Sequence, residues 1–124
     1  MNRRHFLLLT AAALAACGKK APKHSALPRG SAVLALGDSL TYGYGANPTE
    51  SYPARLAELT GWTVTNGGVS GDTSAQALAR LPELLREHTP HLVIISIGGN
   101  DFLRRQPENE TRTNIRAIIQ ALSL

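Results

Sequence analysis

The chain has 124 residues, 43% of them hydrophobic and 18% charged, with a formal net charge of +4. That balance excludes an intrinsically disordered chain, which is poor in apolar residues and high in net charge. The excess of Lys and Arg forms no stripe, which excludes a nucleic-acid partner. The single cysteine can build neither an intrachain disulfide nor a multi-cysteine metal site.

Met1-Asn2-Arg3-Arg4-His5 is a basic start, and residues 6–16 form an apolar run too short to span a membrane as an ordinary helix. The run ends in Leu14-Ala15-Ala16-Cys17, which resembles the bacterial lipobox. The resemblance implies a lipoprotein signal peptide over residues 1–16, removed on export, and a diacylglycerol on Cys17. An ordinary secretory signal that precedes a cysteine is the alternative. Residues 17–30 then read as the lipidated cysteine and a flexible tether, and residues 31–124 as the domain. Several acyl chains on Cys17 would hold the protein to a membrane where one would not. Gly18 stands where an aspartate would favour inner-membrane retention, so the expected location is the cell envelope, on the outer membrane or periplasmic face. Arg3-Arg4 also resembles the twin-arginine export pattern, although ordinary signals contain such pairs too.

Ala32-Val33-Leu34-Ala35-Leu36 is an unbroken apolar run closed by Gly37, the pattern of a strand buried on both faces. Ser51 and Pro53 predict a helix start, Tyr52, Leu56 and Leu59 its apolar face, and Gly61 its stop. Residues 62–65 predict a short second strand, ended by Asn66-Gly67-Gly68. Asp72 or Thr73 can cap a second helix carrying Leu78, Leu81 and Leu85, with Pro82 expected to kink or restart it. Residues 92–97 are the strongest strand, and Ile115, Ile118, Ile119 and Leu122 give the last helix its apolar face. The order βαβαβα predicts an α/β fold with a parallel sheet covered on both faces. In such sheets ligands and chemistry sit beyond the carboxyl ends of the strands.

Three polar, glycine-containing segments fall there. Gly37-Asp38-Ser39-Leu40 follows the first strand, Gly68-Val69-Ser70-Gly71-Asp72-Thr73 the second, and Gly98-Gly99-Asn100-Asp101 the third. Each alone reads as a turn: Ser39 in a capped turn, Gly71 permitting positive φ, Asn100 in an Asx-turn. Together, from about Val33 onward, they resemble the GDSL or SGNH hydrolases, and within them the bacterial thioesterase I/lysophospholipase and arylesterase group. Residues 71–85 are especially similar to that group. The resemblance implies a three-layer α/β/α, flavodoxin-like fold and carboxylic-ester hydrolysis on an acyl ester or thioester. It gives Ser39 the part of nucleophile, Gly71 that of an oxyanion-binding N–H, and Asn100 that of an oxyanion-binding side chain. It requires no cofactor and no metal. Asp38 and Asp101 read as bracing their loops, while Tyr42 and Tyr44 either line an acyl pocket or lie on the surface.

The family's fourth block, Asp-x-x-His, supplies the general base and its orienting Asp, and it is absent. None of Asp38, Asp72 and Asp101 is followed by a histidine three residues later. His5 lies in the signal and His24 in the tether, while His88 and His91 precede the third strand. A six-residue strand is roughly 20 Å long at about 3.3 Å per residue, so both should lie far from Ser39. With only three strands, the resemblance implies a C-terminally truncated member with an open edge strand, or one whose base comes from another chain. Loss of a triad histidine costs roughly 10⁶ in turnover, so this chain is expected to be a poor catalyst by itself. The competing reading is a non-catalytic, membrane-tethered lipoprotein that binds an acyl or carbohydrate ligand. A nucleotide binder is disfavoured, since neither a Walker-type Lys nor a G-x-G-x-x-G pattern follows the first strand.

Overall fold

The computed structural model describes residues 25–123. The expected signal peptide, Cys17, His24 and the first part of the tether lie outside the described residues. Ala32–Gly37 forms strand β1. Because Val33, Leu34, Ala35 and Leu36 are buried on both faces of the pleat, β1 can only be central. Strand β2 (Thr63–Gly68) pairs with one side of it and β3 (Leu92–Ser96) with the other, both in parallel, giving the order β2-β1-β3.

Five α-helices connect and follow the strands: α1 (Ser39–Tyr42), α2 (Tyr52–Thr60), α3 (Ser74–His88), α4 (Gly99–Leu103) and α5 (Glu108–Leu122). A 3₁₀ turn, Pro48–Glu50, precedes α2. Leu34 and Leu36 stand beside Val93 and Ile95 on one sheet face, where Ala77 and Leu81 of α3 and Ile118 of α5 complete the buried core. Helices α1 and α2 pack against β2, and Pro53 and Ala54 share a cavity wall with Val64 and Asn66 on the opposite face. The helix–sheet–helix layering is the expected α/β architecture.

The caps explain the boundaries. Ser51 Oγ accepts from the Ala54 N–H, and Gly61 ends α2 in the left-handed conformation. Thr73 and Gln76 cap each other reciprocally at the start of α3, which assigns the cap to Thr73 and leaves Asp72 free for another partner.

Four expectations are corrected. Strand β2 runs on through Asn66-Gly67-Gly68 instead of ending before it, because residues without side chains let α1 lie directly over the strand. A Cβ on Gly68 would come within 2.2 Å of the Tyr42 nitrogen. Pro82 neither breaks nor restarts α3, which is one helix around it, with Pro82 on the exposed side. In α2 the packed face is Pro53, Leu56, Ala57 and Thr60, one residue away from the expected stripe, and Leu59 is 83% exposed. Finally, Leu27 and Gly30, expected in the tether, are joined to the domain. The Leu27 carbonyl accepts from the Trp62 indole at 3.1 Å, and the Gly30 N–H donates to the Gly61 carbonyl at 2.8 Å.

Candidate active site

The register places the ends of all three strands at one level: Gly37 is opposite Gly68 on one side and Ser96 on the other. The three polar loops therefore leave the sheet side by side. Gly37 is needed at that point, since a Cβ would sit 2.0 Å from Thr41 Oγ1 and 2.7 Å from the Ser96 carbonyl. Its absence lets the chain turn at once into α1, whose first residue is Ser39. Asp38 caps that turn, its carboxylate accepting from the Leu40 N–H at 3.0 Å. Ser39 is half-buried, and neither its hydroxyl nor its N–H is hydrogen-bonded among the described residues.

Gly71 lies between β2 and α3 at φ +84°, a conformation that strongly favours glycine. Its N–H has no acceptor among the described residues, and its carbonyl accepts from Arg104 Nη2 at 2.8 Å. Asn100 lies in α4, and its amide donates one hydrogen to the Asp72 carbonyl at 2.9 Å. A side-chain amide carries two hydrogens, so the second is available. The structure thus holds the Gly71 and Asn100 loops against each other. The Ser39 loop joins them through three links: Val69 N–H to the Gly37 carbonyl at 3.1 Å, Arg80 Nη2 to the same carbonyl at 3.0 Å, and Gly99 beside Asp38.

The acidic residues brace rather than face the opening. Asp101 is almost fully buried and accepts from the Ser74 N–H at 2.7 Å, the Ser74 hydroxyl at 2.6 Å and the Thr111 hydroxyl at 3.1 Å. Burial pushes its carboxyl up, but the bonds from Ser74 and Thr111 outweigh it and hold the group below its ordinary value. Asp72 pairs with Arg80 at 2.6 Å. His88 and His91 lie at the other end of the sheet: the His91 N–H donates to the Ala32 carbonyl at the start of β1, and His88 Nδ1 is 3.5 Å from Thr65 Oγ1. Neither is placed to take a proton from Ser39.

Two cavities of similar size flank the sheet. One, about 420 Å³, lies beside α1, with Tyr42, Pro48, Pro53, Val64 and Asn66 in its wall. Tyr42 contributes to it, whereas Tyr44 is outside that wall and 79% exposed. The other, about 440 Å³, lies between Leu85, Leu92 and Leu122, remote from Ser39.

Residues 35–123 match the family model described as GDSL-like lipase/acylhydrolase. The chain belongs to that family. It is 44% identical over 92 residues to the thioesterase 1/protease 1/lysophospholipase L1 of Escherichia coli, covering 71% of this chain and 43% of that protein. It is 42% identical over 95 residues to the arylesterase of Vibrio mimicus, covering 73% and 48%. The chain therefore spans about half the length of these relatives. Among solved structures, the SGNH-hydrolase family esterase AlinE4 superposes with a TM-score of 0.71 at 38% identity, over 78% of this chain and 55% of that one.

Within this family member, the sequence did not reveal the side chains that lace the loops together. Asn66 reads as a strand terminator, yet its amide donates to the Thr41 carbonyl at 2.9 Å and its oxygen accepts from the Gly68 N–H at 2.9 Å. Arg80 and Arg104 read as ordinary surface cations of helices. Only their proximity to Asp72 and Asn100 after folding gives them a part in the site.

Proposed function

We propose that this chain carries the nucleophile and oxyanion half of a serine ester or thioester hydrolase. One observation carries the reading: three strands ending level bring together the Ser39 hydroxyl and three uncommitted donors, the N–H groups of Ser39 and Gly71 and one hydrogen of the Asn100 amide. Such a group attacks an acyl carbonyl. Ser39 Oγ forms the new C–O bond, its proton passes to a base, and the donors hold the negative oxygen of the tetrahedral intermediate. Collapse expels the alcohol or thiol, and water then releases the acid. One oxyanion donor is worth roughly 3–4 kcal/mol of transition-state stabilisation. The relatives' names include thioesterase, lysophospholipase and arylesterase, which supports an acyl ester or thioester as substrate class.

The base is the missing partner. The 124 residues contain no Asp-x-x-His, and the described histidines lie at the far end of the sheet. By itself this chain is a slow hydrolase or an acyl-binding protein, the second reading being favoured by that absence alone. Leu14-Ala15-Ala16-Cys17 further supports export, lipidation of Cys17 and attachment to a membrane of the cell envelope. The deciding experiment is hydrolysis of p-nitrophenyl butyrate by the purified chain beside its Ser39→Ala variant. Turnover lost in the variant establishes the hydrolase. Equal rates in two cooperatively folding proteins leave the acyl-binding reading. The mass of the Cys17-bearing peptide from cells reports the lipid directly.

A further inference from the structure

We infer that Arg80 is a positioning residue that fixes the nucleophile loop against the oxyanion loop, an inference that rests on the reading of Ser39 as nucleophile. Arg80 lies in α3, two turns after the Thr73 cap. Helical side chains lean towards the N-terminus, so a long one reaches back over the start of its own helix. There Nε donates to Asp72 Oδ2 at 2.6 Å and Nη2 donates to the Gly37 carbonyl at 3.0 Å. One planar group thereby joins the residue after Gly71 to the residue two before Ser39. Asp72 is in turn the residue whose carbonyl receives the Asn100 amide. All three elements of the proposed site thus meet at Asp72, and Arg80 carries the connection to β1.

The setting separates this contact from a surface ion pair. The side chains of Arg80 and Asp72 are 24% and 8% exposed, against 62% and 68% for Arg55 and Glu58. A shielded, charge-assisted bond keeps its geometry, whereas exposed pairs contribute little. Arginine also suits the task in kind. Its donors diverge from a rigid plane and can hold two acceptors at a set spacing, which a lysine ammonium on a flexible stem cannot do equally well. Oxyanion geometry is intolerant: a misplacement of about 1 Å can cost roughly a hundredfold in rate.

The test follows Ser39 reactivity and stability on the same samples. The purified chain and its Arg80→Gln and Arg80→Lys variants are treated with a fluorophosphonate, whose phosphorus bonds to Ser39 Oγ as fluoride leaves and the serine proton passes to solvent. Labelled peptide is counted by mass spectrometry against time, and urea unfolding is recorded in parallel. The expected result is labelling about 10- to 100-fold slower in R80Q, with a cooperative transition retained and part of the rate recovered in R80K. Wild-type labelling rates in a folded R80Q overturn the inference, even where its unfolding midpoint falls. If R80Q does not fold, R80K alone decides, by slowed or by unchanged labelling. If the native chain is never labelled, the nucleophile reading fails instead. Amide exchange then judges the clamp: protection lost at Val69 and Asp72 alone in the variant sustains it, and unchanged protection overturns it.

Discussion

Asp101 is a charge held where little water reaches, and Ser74 and Thr111 make that tenable. Its folded pKa lies below the unfolded value of about 4. The ionised group therefore contributes stability above about pH 4, and that contribution drains away as pH falls further, towards the folded value. Asp101→Asn puts an amide where three donors converge, so it should lower stability at pH 7 by about 2 kcal/mol. The gap between variant and native chain should narrow below about pH 4, as read from urea unfolding midpoints across the acid range. Gly71→Ala meets a different obstacle. At φ +84° an alanine is strained, and its Cβ would lie 3.3 Å from the Arg104 guanidinium. The expected cost is about 1–2 kcal/mol of stability, with the Arg104 contact displaced. The three loops were legible at this scale because Ser39, Gly71 and Asn100 each follow a readable strand. The braces were not, because an arginine on a helix and an asparagine before two glycines have commoner uses. Arg80 meets Gly37 across 43 intervening positions of chain, a pairing that no local pattern encodes.

Elements obeyed local chemistry where that chemistry had no rival. β1 was readable because an unbroken apolar run has one home, the middle of a sheet. The start of α3 was readable because Thr73 and Gln76 are spaced for reciprocal capping, and Thr73→Ala should cost about 1 kcal/mol in a urea titration. Helices α1 and α4 were missed, being 4 and 5 residues long, too short to show a period. Pro82 was misread because tertiary packing outweighed propensity. Leu81 is fully buried, and Ala77 and Leu81 tie α3 to the sheet on both sides of the proline's missing bond. That packing tolerates a local cost, so Pro82→Ala should raise stability, by about 1–2 kcal/mol after allowance for the greater freedom of the unfolded alanine chain.

Over the whole molecule the sheet is asymmetric. β1 is hydrogen-bonded on both sides, while the outer side of β3 has no strand partner among the described residues. Amide exchange should show it: the slowest amides belong to β1, and alternate amides of β3, those facing outward, exchange faster than any of them. A second asymmetry lies along the strands, with the serine and its donors at the carboxyl ends and both described histidines at the amino ends. The order of strands in space differs from their order in the chain. The middle strand is made first, and its two neighbours follow at residues 63 and 92. On the ribosome or in an export channel, Ser39 therefore emerges long before Asn100, attached to a strand with nothing on either side. Closing loops of this length precedes any reward from pairing. A chain halted before its third strand would carry the serine on apolar, unpaired backbone, a species prone to stick to others of its kind. Assembly of the site is thus a late event, completed only when the last of the three strands arrives.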